Sequence, residues 1–413
     1  MAVKILCIAG ARPNFMKVAP LMRALSRMDG FEARLVHTGQ HYDDSLSKVF
    51  FDDLNMPRPD IELAVGSGSH AEQTAEIIRR FETVLQVEQP HAVLVVGDVN
   101  STIGCALATA KFQLDGRKQF EWKFGRRTRP VTIHVEAGLR SFDEDMPEEI
   151  NRRLTDAISD LLFVSEPAGV ENLRREGAPE DRVFFVGNVM IDTLVAARER
   201  AMRSTIVERL GLPEKQFGVL TLHRPSNVDD PERFRALLEL LDDLAGRVSP
   251  LVFPVHPRTR ARLENMGLRL DPTRWRITGP LGYLDFLKLQ ALARLVITDS
   301  GGVQEETTIL GVPCITLREN TERPVTVTEG TNVLAGTGRD GILSAFAEAM
   351  NGAAGARVPL YWDGRAAVRI VEALAEVFGS TIRRRDATRR TRAASHRRRA
   401  PVVAEALLAR SGG

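Results

Sequence analysis

A Ser-Gly-Gly turn in the second half of the chain predicts a binding site for a phosphate or a diphosphate. An apolar, β-forming run, Leu295–Thr298, ends just before Ser300, and a helical pattern follows, so Gly301 and Gly302 lie where a strand becomes a helix. Bare backbone N–H groups and the helix dipole favour an anion there. Glu306, about one turn into the helix, can reach the hydroxyls of a ribose. The alternative is an ordinary strand-to-helix turn that binds nothing.

Three carboxylates predict a second kind of chemistry, the movement of protons. Asp98 follows the predicted strand Ala92–Val96, and Glu136 follows the predicted strand Val131–Val135. Glu148 lies in the first turn of a predicted helix. Because open α/β sheets hold their ligands at the carboxyl ends of their strands, we expect these groups to converge on one cleft. Carboxylates so placed can act as general acids and bases.

Cations and a histidine complete the candidate set. Arg12 and Lys17 follow the first predicted strand, and His223 lies at the end of a strand in the second half of the chain. The first loop lacks the G-x-G-x-x-G pattern, and Pro13 removes a donor that a pyrophosphate would need. The first loop therefore argues against a dinucleotide cofactor.

The elements that position these residues alternate between strand and helix, which indicates a parallel-sheet α/β protein. A chain of 413 residues is too long for one ordinary core. One half offers acids and cations, and the other offers a diphosphate site and a histidine. We therefore predict the GT-B fold, two Rossmann-like domains that face each other across a nucleotide-sugar cleft.

The domain bounds follow from the same patterns. We expect a Rossmann-like domain with the carboxylates at 1–197 and a UDP-binding Rossmann-like domain at 198–362. A closing helix at 363–379 is expected to pack back on the first domain. An arginine-rich tail at 380–413 is expected to be disordered.

Composition narrows the function classes. Hydrophobic residues make up 43% and charged residues 27% of the chain, as in ordinary globular proteins. A net charge of +2 argues against a dedicated nucleic-acid binder. We find no apolar run that could span a membrane and no signal peptide, so we expect a cytoplasmic protein. Cys7, Cys105 and Cys314 each lie in an apolar run and predict buried free thiols.

Two basic segments stand apart from the α/β pattern. Leu114–Pro130 mixes basic and aromatic residues; we interpret it as a surface insertion loop, with contact to RNA or a membrane as the alternative. The arginine-rich tail could touch polyanions weakly, but we expect no specific nucleic-acid partner.

Taken together, the motifs resemble those of the non-hydrolysing UDP-N-acetylglucosamine 2-epimerases over about residues 3–378. In chain order they are Gly10-Ala11-Arg12-Pro13 with Lys17, Thr38-Gly39-Gln40-His41, Gly97-Asp98, His134-Val135-Glu136-Ala137-Gly138-Leu139-Arg140, Pro147-Glu148-Glu149 with Asn151-Arg152, Gly187-Asn188 with Asp192, His223-Arg224, Asp299–Glu306 and Thr321-Glu322-Arg323-Pro324.

The resemblance implies a reaction. That family interconverts UDP-GlcNAc and UDP-ManNAc by inverting C2 of the sugar. The C2 proton is not next to a carbonyl, so the anomeric C–O bond breaks as the proton leaves, which gives UDP and a 2-acetamidoglucal. UDP then adds back while a proton returns to the opposite face. This route needs general acid and base groups and cations, and we expect no cofactor and no metal.

The resemblance also implies roles for the candidate residues. The proton-handling groups are Asp98, Glu136 and Glu148, with base and acid unassigned, and His223 assists the loss of UDP. The groups that bind the UDP-sugar are Arg12, Lys17, Phe286 at the uracil, Ser300, Gly301, Gly302, Glu306 and Arg323. Carboxylates beside a diphosphate in a closing cleft are expected to have raised pKa values.

Several alternatives stay open at this stage. Part of the sequence, at Leu139-Arg140-Ser141-Phe142, also looks like relatives that act on UDP-2,3-diacetamido-2,3-dideoxyglucuronic acid. A GT-B glycosyltransferase or a nucleotide-sugar sensor would share the phosphate site but would not need three carboxylates. Tyr42-Asp43-Asp44 and Pro225-Ser226-Asn227 depart from regulated members, so activation by UDP-GlcNAc is in doubt. The resemblance implies a homodimer.

Overall fold

The fold was determined from a computed structural model that describes residues 2–39, 53–116, 119–248, 250–255, 257–267, 270–351, 356–379 and 381–382. The predicted motif at Gln40-His41, the departure at Tyr42-Asp43-Asp44 and almost all of the predicted arginine-rich tail lie outside these residues.

Two parallel sheets organise the described chain. The first has seven strands in the order β3-β2-β1-β4-β7-β8-β9, and the second has six in the order β12-β11-β10-β13-β14-β15. The strands of the first sheet are β1 (Val3–Ala9), β2 (Phe31–His37), β3 (Ile61–Glu62), β4 (Ala92–Val96), β7 (Val131–Ala137), β8 (Leu161–Val164) and β9 (Val183–Phe185). Those of the second are β10 (Gly218–Thr221), β11 (Leu251–Pro254), β12 (Trp275–Thr278), β13 (Leu295–Thr298), β14 (Cys314–Thr316) and β15 (Asn332–Leu334).

Helices cover both sheets. Those that run with the first sheet are α1 (Arg12–Arg27), α2 (His70–Glu88), α3 (Asn100–Lys111), α4 (Pro147–Ile158), α5 (Pro167–Arg175) and α6 (Val189–Met202). The others are α7 (Ile206–Arg209), α8 (Pro225–Val228), α9 (Pro231–Ala245), α10 (Pro257–Asn265), α11 (Tyr283–Leu292), α12 (Gly301–Leu310), α13 (Val325–Thr328), α14 (Arg339–Met350) and α15 (Ala366–Val377). None of these described helices is both long and apolar enough to cross a membrane.

The strand β1 shows why helices are needed on both faces. Its alternate residues Val3 and Ile5 pack into a core with α1 and α15, whereas Leu6 and Ile8 pack into a second core with α2 and α3. Period-two alternation sends successive side chains to opposite faces, so a strand that is apolar throughout must be covered twice. The three cysteines are buried and free, as predicted.

The helix α15 lies against the first sheet. Its N-terminus is held by the carboxylate of Asp192 in α6, which accepts N–H groups from Ala366 at 3.0 Å and Ala367 at 2.7 Å. Its apolar face joins the core that contains β1. The chain therefore returns to the first sheet after completing the second. The numerical domain bounds at 197 and 362 stay a prediction.

The segment Leu114–Pro130 is not the surface loop that its composition suggested. It contains a hairpin of two antiparallel strands, β5 (Phe120–Trp122) and β6 (Gly125–Arg127). Phe120 and Trp122 are buried, and the Phe120 ring lies 6.1 Å from that of Phe378. The interpretation was wrong because the partner of these aromatic rings is more than 200 positions away in the sequence.

The strand orders show which loops can bind a ligand. In each sheet the strand that comes first in the chain lies between the second and the fourth, so the strand order reverses at β1/β4 and at β10/β13. Ligands of open α/β sheets bind at such switch points, outside the carboxyl ends of the strands. The two switch points face one another across a cleft.

Candidate active site

A cavity of about 460 Å³ lies between the two sheets. The loops after β1 and β4 and the start of α4 supply one wall, and those after β10 and β13 supply the other. This volume lies within the range of small-molecule sites. Ten of the twelve predicted site residues line the cavity: Lys17, Asp98, Glu148, His223, Phe286, Ser300, Gly301, Gly302, Glu306 and Arg323. Glu136 is outside that lining, and the side chain of Arg12 is outside the description.

The N-terminus of α12 opens directly into the cavity. Ser300 is its N-cap residue, and within the described chain its hydroxyl does not cap the helix. The first N–H groups of the helix, on Gly301 and Gly302, therefore stay available to an anion. The helix begins at Gly301, so the two glycines are its first residues. This geometry suits a diphosphate.

Glu306 stands one turn further into α12 and is buried. Its Oε2 accepts a hydrogen bond from Gln290 Nε2 at 2.6 Å, and the Tyr283 hydroxyl lies beside the same carboxyl. Burial raises the pKa of Glu306 to about 7. Phe286, which is half-buried on α11, lies in the same part of the cavity.

Asp98 follows β4 and is held by an arginine of the same wall. Arg152, buried on α4, donates from Nε to Asp98 Oδ2 at 2.9 Å. Burial acts to raise the pKa of Asp98, but Arg152 first and then Lys17 and Arg323 lower it below its ordinary value. The expectation that the cleft carboxylates have raised pKa values is therefore wrong for Asp98, because the cations that surround it outweigh desolvation. Asp98 is ionised before a ligand arrives.

Glu136 occupies a strained position at the end of β7. Its φ is +71°, in the left-handed region, and the register of β7 with β8 shifts between Val135 and Ala137. A glutamate held there costs conformational energy, which proteins tend to retain at functional sites. The carboxylate is buried and forms an ion pair with Lys17, which itself lines the cavity. Glu136 thus lies directly behind Lys17.

Arg323 joins the two walls. Its guanidinium donates to Glu305 Oε1 at 2.5 Å and to Glu322 Oε1 at 2.8 Å, both from the second half of the chain. Its Nη2 lies 3.9 Å from Glu136 Oε2 in the first half. Burial acts to lower the pKa of Arg323, but Glu305 and Glu322 hold it well above its ordinary value. A cation fixed in this way can hold the walls of the cleft together and steady a diphosphate.

Glu148 begins α4 at the cavity, one residue after Pro147. Glu149, its neighbour, turns away and accepts the backbone N–H groups of Ser141 at 2.9 Å and Phe142 at 3.1 Å. Glu149 therefore orders the loop that leads into the helix, and this loop sets the position of Glu148.

His223, after β10, is held by Asp299. The His223 Nδ1 lies 2.6 Å from Asp299 Oδ1, and the side chain of His223 is 57% exposed toward the cavity whereas Asp299 is fully buried. Burial acts to raise the pKa of Asp299, but the histidine and the donated hydrogen bonds lower it below its ordinary value.

Another histidine, which is buried, supports the turn that carries Asp98. His134 Nε2 lies 2.8 Å from the Gly97 carbonyl oxygen, and its Nδ1 lies 2.6 Å from Asp156 Oδ1. Asp156 also accepts a hydrogen bond from the Gly138 N–H at 3.0 Å, and its Oδ2 forms an ion pair with Arg140 Nη2 at 2.7 Å. Both ring nitrogens face oxygen atoms, so the ring connects the turn after β4 to the helix α4.

Sequence reasoning left Arg152, Asp299, Glu305 and Glu322 without roles. Arg152 could have been found, because it stands four positions after Glu148 on the same helical face. Glu305 carries no local signal, since its function depends on Arg323, 18 positions further on, reaching it in the folded chain. Among the described residues, no group of three or more His, Cys, Asp or Glu could hold a metal ion.

Two parallel α/β sheets whose switch points face one cavity, with carboxylates on one wall and a helix N-terminus on the other, define a GT-B-like protein with a site suited to a nucleotide sugar. The chain belongs to the UDP-N-acetylglucosamine 2-epimerase family, whose model matches residues 23–118 and 122–375. The predicted resemblance and the predicted fold class are thereby confirmed.

Individual relatives agree with this assignment. The chain is 39% identical over 378 residues to the UDP-2,3-diacetamido-2,3-dideoxy-D-glucuronate 2-epimerase of Pseudomonas aeruginosa, covering 91% of the chain and 100% of that relative. It is 39% identical over 379 residues to the UDP-N-acetylglucosamine 2-epimerase of Methanocaldococcus jannaschii, covering 90% of the chain and 99% of that relative. The chain is thus an isomerase, a 2-epimerase of UDP-sugars.

Solved structures give the same result. The crystal structure of the M. jannaschii UDP-GlcNAc 2-epimerase in complex with UDP-GlcNAc and UDP matches with a TM-score of 0.81 and 38% identity, over 90% of this chain and 99% of that one. The UDP-GlcNAc 2-epimerase of Neisseria meningitidis bound to UDP-GlcNAc matches with a TM-score of 0.77 and 28% identity, over 90% of this chain and 100% of that one.

Proposed function

We propose that this chain is a non-hydrolysing UDP-N-acetylglucosamine 2-epimerase that interconverts UDP-GlcNAc and UDP-ManNAc. The observation that carries the proposal is the division of the cavity, with Asp98 and Glu148 on one wall and the α12 N-terminus with His223 on the other. This arrangement suits a reaction that moves a C2 proton on one side of a sugar while a diphosphate leaves from its anomeric carbon.

The proposed reaction is an elimination followed by an addition. The C2–H bond breaks and its proton passes to a carboxylate, while the electron pair of the C1–O bond leaves with UDP. A 2-acetamidoglucal results. UDP then adds back to C1 as a proton is delivered to the opposite face of C2. Asp98 is the initial proton acceptor, because Arg152 and Lys17 favour its ionised form.

The remaining groups act on the leaving UDP and on the far face of the sugar. The N–H groups of Gly301 and Gly302 and the side chains of Ser300 and His223 bind the diphosphate, while Glu306 binds the ribose and Phe286 the uracil. Arg12 and Arg323 add positive charge. Lys17, which lines the cavity and pairs with Glu136, adds a cation beside the diphosphate, and Glu136 works with Glu148 on the proton. Preorganised donors of this kind stabilise charge as it develops.

A second candidate substrate is UDP-2,3-diacetamido-2,3-dideoxyglucuronic acid. The observation that favours it is the P. aeruginosa relative, which is as similar as the archaeal UDP-N-acetylglucosamine 2-epimerase and is covered over its whole length. The chemistry at C1 and C2 would be the same, and only the groups at C3 and C6 would differ.

Incubation of the purified protein with each UDP-sugar separately, followed by proton NMR, tests the proposal. Conversion of UDP-GlcNAc to UDP-ManNAc at a kcat/KM well above that for the diacetamido-uronic acid supports it. The opposite ratio would transfer the proposal to the second substrate. Release of free ManNAc and UDP would contradict a non-hydrolysing reaction.

Light scattering would test the homodimer that the resemblance implies.

A further inference from the structure

We propose that Asp299 is a positioning residue for the reaction: it binds the Nδ1 proton of His223 and so leaves Nε2 as the nitrogen that serves the departing diphosphate. The inference rests on the proposed function for its chemical consequence. Its structural part concerns the free protein and stands without a substrate.

The carboxylate of Asp299 accepts hydrogen bonds from the turn that carries His223. Besides Nδ1 of His223, its carboxylate accepts the His223 N–H at 3.0 Å, the Arg224 N–H at 2.9 Å and Asn227 Nδ2 at 3.1 Å. It is fully buried, at 0% exposure. An ionised carboxylate can only accept hydrogen bonds, so the three donors other than the ring indicate that this buried carboxylate carries the negative charge.

The tautomer of His223 follows from this acceptor. Because Asp299 cannot donate when ionised, the proton in the 2.6 Å contact belongs to Nδ1. The ring nitrogen that remains for the cavity is Nε2, on a side chain that is more than half exposed and lines that cavity. The second hydrogen bond of an imidazole determines which nitrogen does the chemistry.

The consequence for the reaction concerns the oxygen that leaves. As the C1–O bond breaks, its electron pair goes to a diphosphate oxygen, and this oxygen accepts a hydrogen bond from Nε2–H once the ring has bound a second proton from solvent at Nε2. The buried charge of Asp299 stabilises the imidazolium through Nδ1. When UDP adds back to C1, the hydrogen bond from Nε2–H to the diphosphate oxygen weakens again, and no proton is consumed.

The structural part is tested on the intact chain by ¹⁵N NMR of its histidine rings, with the His223 signals identified by their loss in His223→Asn. The expected result is a neutral ring that carries its proton on Nδ1 and has none on Nε2. A neutral ring protonated at Nε2 would overturn the proposal. This measurement needs no substrate and no variant of Asp299.

The chemical part is tested with Asp299→Asn in two backgrounds. In the otherwise unchanged enzyme we expect kcat to fall roughly 10- to 100-fold, as for other residues that orient a functional histidine, with KM for the UDP-sugar changed less than about threefold. In the His223→Asn background the same change should cost nothing further. An equal loss in both backgrounds, or no loss in either, would overturn the proposal.

Asn227→Ala is the matched control, because it removes another donor to Asp299 without touching the ring. It should lower Tm and leave the His223 tautomer unchanged. A change of the His223 tautomer in this control would contradict the proposal, since loop order rather than the carboxylate would then determine the tautomer. A chain that shows the expected tautomer but epimerises neither UDP-sugar would refute the proposed function instead.

Discussion

Arg152 Nε donates to Asp98 Oδ2 at 2.9 Å, so an arginine from the helix that carries Glu148 holds the carboxylate that follows β4. The same guanidinium also pairs with Glu149. One buried cation therefore links the two elements that bring Asp98 and Glu148 to the cavity, and it lowers the pKa of Asp98.

Arg152→Gln tests the electrostatic part of this link. Without the cation the pKa of Asp98 rises, so the acid limb of the kcat/KM profile should move to higher pH. Removing one partner of a buried ion pair should also cost about 3–5 kcal/mol of unfolding free energy. Arg152→Lys keeps the charge and should leave the acid limb close to that of the unchanged enzyme. An acid limb that is the same in all three proteins would contradict the link.

Asp98→Asn tests the assignment of this carboxylate to proton transfer. The change removes the proton acceptor but keeps the size of the side chain, so kcat should fall on the order of 100- to 10,000-fold. The Kd for UDP, measured by calorimetry, should stay within about threefold because the helix N-terminus that binds UDP is on the other wall. A parallel collapse of UDP binding would mean that Asp98 is structural.

The paired glycines at the start of α12 allow a matched test of how closely Arg323 is held. A Cβ on Gly301 would lie 2.7 Å from Glu322 Oε1 and 3.0 Å from Arg323 Nη1, whereas a Cβ on Gly302 would meet only Met190 Cε at 3.5 Å. We expect Gly301→Ala to lower Tm and Gly302→Ala to leave Tm unchanged or slightly higher, because alanine favours a helix. Equal melting temperatures for the two variants would show that the ion-pair cluster yields easily.

Glu166, which does not itself line the cavity, predicts a pH dependence of stability. It precedes α5, is 1% exposed, and burial raises its pKa to about 8. The folded chain therefore holds this proton more tightly than the unfolded chain. The protonated Glu166 therefore contributes to the free energy of unfolding. This contribution is complete below about pH 4.5 and is lost as the pH rises toward 8, by up to about 5 kcal/mol for a pKa shift of this size.

Glu166→Gln should remove that dependence, so the variant should gain Tm relative to the unchanged protein between pH 5 and pH 9. Glu171→Gln, on the same helix, is the control. Arg174 lowers the pKa of Glu171 to about 2, so this group does not titrate in that window. A Tm difference for Glu166→Gln that is constant from pH 5 to pH 9 would refute the prediction.

Much of the sheet framework was predictable. The strands β4 and β13 have the predicted bounds, because each is a short, largely apolar run that is covered on both faces. The strands β3, β12 and β15 were not predicted. All three lie at sheet edges, where one side has no neighbour and the apolar run that reveals a central strand is missing.

The site was predictable to the level of strand ends and not beyond. Parallel strands bring Asp98, Glu136 and Ser300 to known edges, so their convergence follows from topology alone. The ion pairs that determine the charge of these residues do not follow from topology. Arg323 reaches Glu136 from a loop almost 190 positions further on, and such a contact depends on how the two halves of the chain meet.

The most direct test of the account follows the two bonds that the reaction breaks. UDP-GlcNAc labelled with ¹⁸O in the bridge between C1 and the diphosphate is incubated with the enzyme in deuterated water and analysed by NMR. The account predicts UDP-ManNAc with deuterium at C2, together with movement of ¹⁸O from the bridge to the other oxygens of the same phosphate in the recovered UDP-sugar. Deuterium at C2 with the label still wholly in the bridge would show that the C1–O bond stays intact, and elimination of UDP would be refuted.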